Sequence, residues 1–248
     1  MTEERRTMVD GTSYTVVISD EREALLAADA AGRAMIGVLN PGIEGQDLTP
    51  AVYLVEQTES IDAEYLERVQ RRKLGLPWII GETERLWIRE FRMEDIPLVM
   101  QEEDDSAADR RFYLPEKLEE YIRCQYGFYQ YGIWALVDKA SGNIVGKAGI
   151  SNLDVEGFAN HEVTSEEGKA DLQLGYHIFP PYRRVGYARE ACTEILNYAK
   201  VHLSSHLYAK IDTSNEASIQ LAEELGFHFM EQRYSEAMLY YSLYAWNC

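Results

Sequence analysis

The chain has 248 residues, 46% of them apolar and 27% charged, which is enough apolar side chain for a sizeable core in one or two domains and too much charge for a membrane-embedded protein. Its net charge of −18 opposes a polyanion at long range, so nucleic acid is not the expected partner, whereas an acidic surface is compatible with an amine-bearing one. Cys124, Cys192 and Cys248 lie far apart with no Cys-x-x-Cys pair, which excludes a readable disulfide framework or thiolate zinc site.

No run approaches the ~18 apolar residues that cross a bilayer. The opening Met1 to Arg6 has no apolar stretch behind it, so the expectation is a cytoplasmic protein without membrane contact. Tyr14 to Ser19 is a β-branched apolar run, after which Ala24, Leu25, Ala28 and Ala31 recur at helical spacing up to Gly32. Together these predict a strand, a helix and a glycine stop. Apolar runs at Ala34 to Leu39 and Ala51 to Val55 predict two more strands, and Ser60 is placed to cap a helix running through Glu67 to Arg72. Residues 1–81 therefore read as a small βαββα domain. Gly75, Pro77 and Gly81 end it, because a helix must stop there and no new period has begun.

Residues 82–248 form the second predicted domain. Leu86, Ile88 and Phe91 suggest a strand, Glu94 and Asp95 open a helix near Pro97, and another helix starts after Leu114-Pro115. Trp134 to Val137 and Ile144 to Ile150 flank the turn Ser141-Gly142-Asn143 as a hairpin. Asp154 to Lys169 carries little periodicity and reads as a long surface loop leading to a strand from Asp171 to Phe179. Pro180-Pro181 ends that strand, and Arg183-Arg184-Val185-Gly186-Tyr187-Ala188 follows. Ala188, Ala191, Ile195, Leu196 and Ala199 then recur at helical spacing. A strand running through a tight loop into a helix can aim backbone N–H groups and the helix dipole at phosphate oxygens. Gly186 lets the backbone come close, and the small Ala188 leaves room for the ligand. A strand from Leu207 to Ile211, then Asn215-Glu216-Ala217-Ser218-Ile219, a helix ending at Leu225-Gly226-Phe227 and a final strand from Met238 to Trp246 complete the pattern.

The run from Leu172 to Ala199, with its downstream Asn215 to Phe227, resembles the acetyl-CoA site of the GNAT N-acetyltransferases, in particular the branch of ribosomal-protein N-terminal acetyltransferases. Thr83 to Arg89 is similar to the first strand of that branch, and the likeness covers residues 82–245. The resemblance implies a GNAT fold, a mixed and mostly antiparallel α/β sheet with flanking helices, and an enzyme that moves an acetyl group from acetyl-CoA to a primary amine. It implies further that Arg183, Arg184, Val185, Gly186, Tyr187 and Ala188 hold the pyrophosphate, while Ile178 and Phe179 bind the pantetheine and polarise the thioester carbonyl.

Asn215 matches a family asparagine near the cofactor and is equally an N-cap of the last helix. Ser218 matches a position that protonates the departing thiolate in some relatives and is otherwise a second capping hydroxyl. Many family members carry a tyrosine acid where this chain has Ala222, which cannot donate. Relatives read Leu-Glu-Leu-Gly-Tyr where this chain has Gln173, so the obvious base is missing, and Glu236 and His177 remain as candidates beside the readings of surface glutamate and satisfied histidine. The aromatic residues from Phe112 to Tyr131 lie in the region that borders the acceptor pocket in this family, and core packing explains most of them. Glu102 to Asp105 form a charge run that either draws in a cationic amine or is simply solvated.

Residues 16–55 resemble half of a haloacid-dehalogenase-type phosphatase core, without its Asp-x-Asp strand or lysine, so no phosphatase activity is implied. The expected role is accessory, with an exposed edge or face buried against the acetyltransferase domain or, in a homodimer, a second subunit. The competing reading for the whole chain is a catalytically degenerate acyl-CoA-binding sensor or docking module.

Overall fold

In a computed structural model the chain is described at residues 1–102, 111–153, 171–203, 206–234 and 240–246. It divides into two units. The first comprises Met1–Trp78, Arg92–Glu94 and Leu114–Gln130, and the second Ile79–Phe91, Asp95–Tyr113 and Tyr131–Cys248. The expected long loop at 154–169, most of the acidic run up to Asp105, Glu236 and Cys248 lie outside the described residues.

The first unit opens with a strand that the sequence reading did not predict. β1 (Thr2–Val9) pairs antiparallel with β2 (Thr12–Ser19) around Asp10 and Gly11, whose φ values of 47° and 82° suit a two-residue hairpin turn. β1 is hard to see because charged Glu3 and Arg5 share the face of buried Thr7 and Val9. The Arg5 guanidinium finds partners there, donating to the carbonyls of Thr58 (3.2 Å) and Ile61 (2.9 Å).

After α1 (Arg22–Ala30), β3 (Ala34–Val38) joins β2 in parallel, and β4 (Tyr53–Val55) joins β3 in parallel, giving the order β1-β2-β3-β4. The apolar runs are continuous because both faces are covered. Val16, Ile18, Ala34 and Ile36 pack with Leu66 and Val69 of α2 (Ala63–Lys73), while Val17 and Met35 pack with Leu25 and Ala28 of α1. The cap of α2 is Asp62 rather than Ser60: Asp62 Oδ1 accepts from the Tyr65 N–H at 2.7 Å, and the Ser60 hydroxyl donates back to the Gln57 carbonyl.

At Ile79 the chain passes into the second unit through β5 (Ile79–Glu82), another strand the sequence reading did not predict, followed by β6 (Leu86–Arg89) and α3 (Ile96–Glu102). It returns to the first unit for α4 (Pro115–Tyr121) and a π-helical segment, Ile122–Tyr129. Gln130 ends that segment with a φ of 62° and ties it to α2. Its Oε1 accepts from Arg68 (3.4 Å) and Arg72 (3.0 Å), and its Nε2 donates to the Gly127 carbonyl (2.7 Å).

The second unit is built on an eight-stranded sheet. β7 (Ile133–Asp138) and β8 (Ile144–Asn152) form the expected hairpin. β9 (Asp171–Ile178), α5 (Tyr187–His202), β10 (His206–Asp212) and α6 (Glu216–Glu224) follow in the expected order. β11 (Phe227–Tyr234) is an additional strand that lay unnoticed behind Gly226, and β12 (Tyr240–Trp246) is the final strand. The order is β11-β12-β10-β9-β8-β7-β6-β5, and every pair is antiparallel except β9 with β10. The mixed, mostly antiparallel α/β sheet is therefore present. Among the described residues, no helix is long and apolar enough to cross a membrane.

Because α4 and the π-helical segment belong to the first unit, a chain beginning at Ile79 would leave them without α2 and β4. Thermal unfolding followed by circular dichroism is expected to show a lower melting temperature for that chain, and an unchanged transition would contradict the assignment. In the full chain, Gln130→Ala removes the tie and is expected to cost about 1–3 kcal/mol in denaturant titration.

Candidate active site

β9 and β10 pair for three residues, Asp171–Gln173 against His206–Tyr208, and then part while both strands run on. On its other side β9 stays paired with β8 as far as Ile178 opposite Gly146. The sheet is thus split in its middle. A cavity of about 550 Å³ opens where the split meets the loop into α5, within the size range of small-molecule sites. Its lining draws on the end of β9 (Tyr176, His177, Ile178), the loop (Arg183, Arg184, Gly186), the first turn of α5 and the start of α6 (Asn215, Ala217, Ser218).

The loop is built to receive an anion. Arg184 and Gly186 take φ of 63° and 93°, so the backbone alternates into the left-handed region and gathers its amides. The first helical hydrogen bond of α5 runs from the Glu190 N–H to the Gly186 carbonyl at 3.1 Å. The N–H groups of Tyr187, Ala188 and Arg189 therefore have no acceptor within their own helix, and they lie at the positive end of a 16-residue dipole. Arg183, Arg184 and Arg189 put three cations around this cavity of an acidic protein. Donors and charges of this kind, in a space of this size, fit the pyrophosphate and pantetheine of coenzyme A.

Residues far away in sequence hold the loop in place. Arg85, in the β5–β6 turn, donates from Nη1 to the Val185 carbonyl (2.9 Å) and from Nε to Glu190 Oε2 (2.7 Å), and its guanidinium lies over the Tyr187 ring, 4.6 Å from the centroid. Glu190 Oε1 also accepts from the Arg85 N–H at 2.8 Å and from the Thr83 hydroxyl. Burial alone would raise the Glu190 carboxyl, but the hydrogen bonds from Thr83 and Arg85 outweigh it and hold the group below its ordinary range. The Tyr187 hydroxyl in turn donates to Asp138 Oδ1 at 2.9 Å, while Asp138 Oδ2 accepts from Ser141. Sequence reading missed Arg85, Glu190 and Asp138, because contacts spanning about fifty to a hundred residues leave no local pattern.

Most of the expected cofactor residues come together here, but two do not line the cavity. Phe179 is fully buried, and its N–H is spent on the Val145 carbonyl at 3.0 Å, so the β9 end offers Ile178 and Tyr176 instead. The Ile178 carbonyl accepts from Arg183 Nε at 2.8 Å. Val185 points outward and takes part through its carbonyl, the acceptor for Arg85. Asn215 caps α6, with Oδ1 accepting from the Ser218 N–H at 3.1 Å, and it also lines the cavity, so both of its expected roles are compatible with one position.

Ser218 and Tyr176 line the cavity together. Burial raises the Tyr176 phenol's pKa and the neighbouring Ser218 hydroxyl offsets part of that, so Tyr176 is held protonated. His177 sits between Tyr176 and Ile178 on β9 and lines the cavity, with its ring 5.8 Å from the Phe179 ring. Gln173 donates from Nε2 to Ser151 Oγ at 3.2 Å. Cys192 is fully buried, and burial pushes its thiol up to about 12, well out of the range of a reactive cysteine. Tyr121 and Tyr126 are core residues in edge-to-face contact, as the packing reading expected.

A Cβ on Gly186 would stand 3.3 Å from Arg85 Nη2 at a φ that L side chains rarely adopt. Gly186→Ala is therefore expected to cost about 1–2 kcal/mol of stability and to weaken acetyl-CoA binding at least tenfold by calorimetry. Glu190 is more acidic in the folded than in the unfolded chain. Its contribution is complete above the ordinary carboxylate range and is lost as pH falls through the lowered folded value. The affinity of the wild type for acetyl-CoA should accordingly fall at acid pH, and Glu190→Gln should bind more weakly at neutral pH and lack that acid dependence.

A family model described as an acetyltransferase (GNAT) domain matches residues 85–228. Over 102 residues the chain is 30% identical to the uncharacterized protein YkkB of Bacillus subtilis, a match covering 41% of this chain and 53% of YkkB, so the chain spans about half the length of that relative. Over 146 residues it is 27% identical to the uncharacterized N-acetyltransferase YnaD of the same organism, covering 58% of this chain and 79% of YnaD. The fold is that of the ribosomal-protein-S5-alanine acetyltransferase of Vibrio fischeri, with a TM-score of 0.52 at 18% identity over 66% of this chain and 94% of that one. With the split sheet and the anion-binding loop inside the matched segment, the chain belongs to the GNAT acetyltransferase family, whose cosubstrate is acetyl-CoA.

Proposed function

We propose that the chain transfers the acetyl group of acetyl-CoA to a primary amine, either on a small molecule or at the N-terminus of a polypeptide. The observation that carries this reading is the parting of β9 from β10 beside the α5 N-terminus, which joins an anion site to a split sheet in one cavity. Bound acetyl-CoA supplies an activated thioester. The chain's own groups bind and orient it: the amides at the start of α5 and the arginines take the phosphates, and the end of β9 lies alongside the pantetheine. The parted side of β9 would present its N–H groups to the carbonyl oxygen, where negative charge develops as the amine attacks.

The amine nitrogen bonds to the carbonyl carbon, the carbon–sulfur bond breaks, and sulfur leaves as a thiolate that needs a proton. Ser218, which lines the cavity beside the protonated Tyr176 phenol, is the proposed donor, with Tyr176 replenishing it. This pair answers the lack of a hydroxyl at Ala222. The base is Glu236, His177 or solvent. The first unit is an accessory docking or dimerising element without phosphatase chemistry.

A sensor that binds acetyl-CoA without turnover is the competing reading, favoured by Gln173, an amide where a carboxylate base is expected. Thiol release separates the two. Spermidine, aminoglycosides, amino acids and short peptides offered with acetyl-CoA are expected to include an acceptor that releases free thiol, and a complete absence of release would favour the sensor. With an active acceptor, Ser218→Ala or Tyr176→Phe should lower kcat by about 10- to 100-fold, with a smaller effect on the KM for acetyl-CoA. An undiminished kcat in both variants would remove the pair from the mechanism.

A further inference from the structure

The 550 Å³ cavity has a smaller neighbour. A second cavity of about 200 Å³ lies between the parted strands and α6. Its apolar walls are Leu174 of β9, Ala209 and Ile211 of β10, Ala222 and Leu225 of α6, and Phe227. Tyr176, Asn215 and Ser218 line both cavities, so the two spaces meet at the hydroxyl pair assigned above to the departing sulfur.

The polar groups around the second cavity are already engaged. The Asp212 carboxylate accepts from the N–H and hydroxyl of Ser214, Lys210 Nζ lies 5.1 Å from the centroid of the Tyr241 ring, and Asn215 Oδ1 takes the Ser218 N–H. The apolar wall includes a single methyl from Ala222, where a longer side chain would fill the space. Water in such a site has few partners, and an apolar cavity of about 150 Å³ is large enough to take up benzene. A space of about 200 Å³ with these apolar walls, meeting the larger cavity at the reacting end, has room for a short hydrocarbon chain.

We propose that this second cavity is an acyl-chain subsite, and that the chain takes straight-chain acyl-CoA thioesters of about four to six carbons in addition to acetyl-CoA. The proposal rests on the larger cavity being the coenzyme A site. Chain length leaves the transfer step unchanged. The bond from nitrogen to the carbonyl carbon forms, the carbon–sulfur bond breaks, the sulfur takes a proton, and the added methylenes exchange water for the walls of the second cavity.

Calorimetric titration of the full-length protein with coenzyme A, acetyl-CoA, butyryl-CoA and hexanoyl-CoA, without an amine, tests this independently of turnover. Each buried methylene is expected to tighten binding roughly fourfold, so butyryl-CoA, with two more methylenes, should bind about fifteenfold more tightly than acetyl-CoA. Ala222→Leu, from α6, and Ala209→Val, from β10, fill the space from opposite walls and should each bring that ratio to about one or below. The ratio is read within each protein, so a general loss of affinity cancels, and a melting curve identifies a variant that has not folded. Equal affinity of the wild type for acetyl-CoA and butyryl-CoA, or a ratio untouched by both substitutions, overturns the acyl subsite while leaving the coenzyme site standing. Failure of coenzyme A itself to bind overturns both.

Discussion

A parallel strand pair that stops after three residues ends its ladder in the middle of an eight-stranded sheet. Backbone groups beyond such an end cost about 1–3 kcal/mol each where they are buried and unsatisfied. The second unit tolerates the split because β9 is fully paired on its β8 side and β10 on its β12 side, so the opening has two rigid walls. Both cavities, the position of α6 across the gap and the meeting of Tyr176 with Ser218 follow from that single discontinuity.

The electrostatics of the loop run against those of the whole molecule. A net charge of −18 repels anions at a distance, yet screening confines that effect to about a Debye length of 8–10 Å. Within that distance lie the α5 terminus, Arg183 and Arg184, together with Arg189, whose charge is shared with Glu224 at 3.4 Å. Glu190, in the first turn of the same helix, would oppose a phosphate if its charge were unmatched. Its pairing with Arg85 cancels that charge and turns it into an anchor for the loop.

What was legible in the sequence was whatever repeats locally. Alternating and helical periods predicted β2, β3, α1, α2, the β7–β8 hairpin, α5 and α6, and the Gly186 loop stood out because it interrupts two such periods. β1 was hidden because Glu3 and Arg5 stand at its inward positions, and β5 because Gly81 lies inside it. The Asp10-Gly11 turn was a signal for β1 that went unused. The site was half legible, since backbone chemistry leaves its trace as a glycine, a helix start and a strand end, whereas which amide is available depends on pairing. Phe179 illustrates this: its place at the strand end was visible, but the carbonyl of Val145 that consumes its N–H was not. Arg85 and Glu190 were invisible because a sequence separation of 105 carries no local pattern.

The central claim is that backbone amides at the start of α5 and along the parted end of β9 form the coenzyme site. Titrating isotopically labelled protein with coenzyme A and following each backbone amide by nuclear magnetic resonance tests it most directly. The largest shifts are predicted at Tyr187, Ala188 and Arg189, and at Tyr176 to Ile178, with the Phe179 amide protected by its bond to Val145. Saturable binding with its shifts elsewhere, and none at the start of α5, would contradict the account.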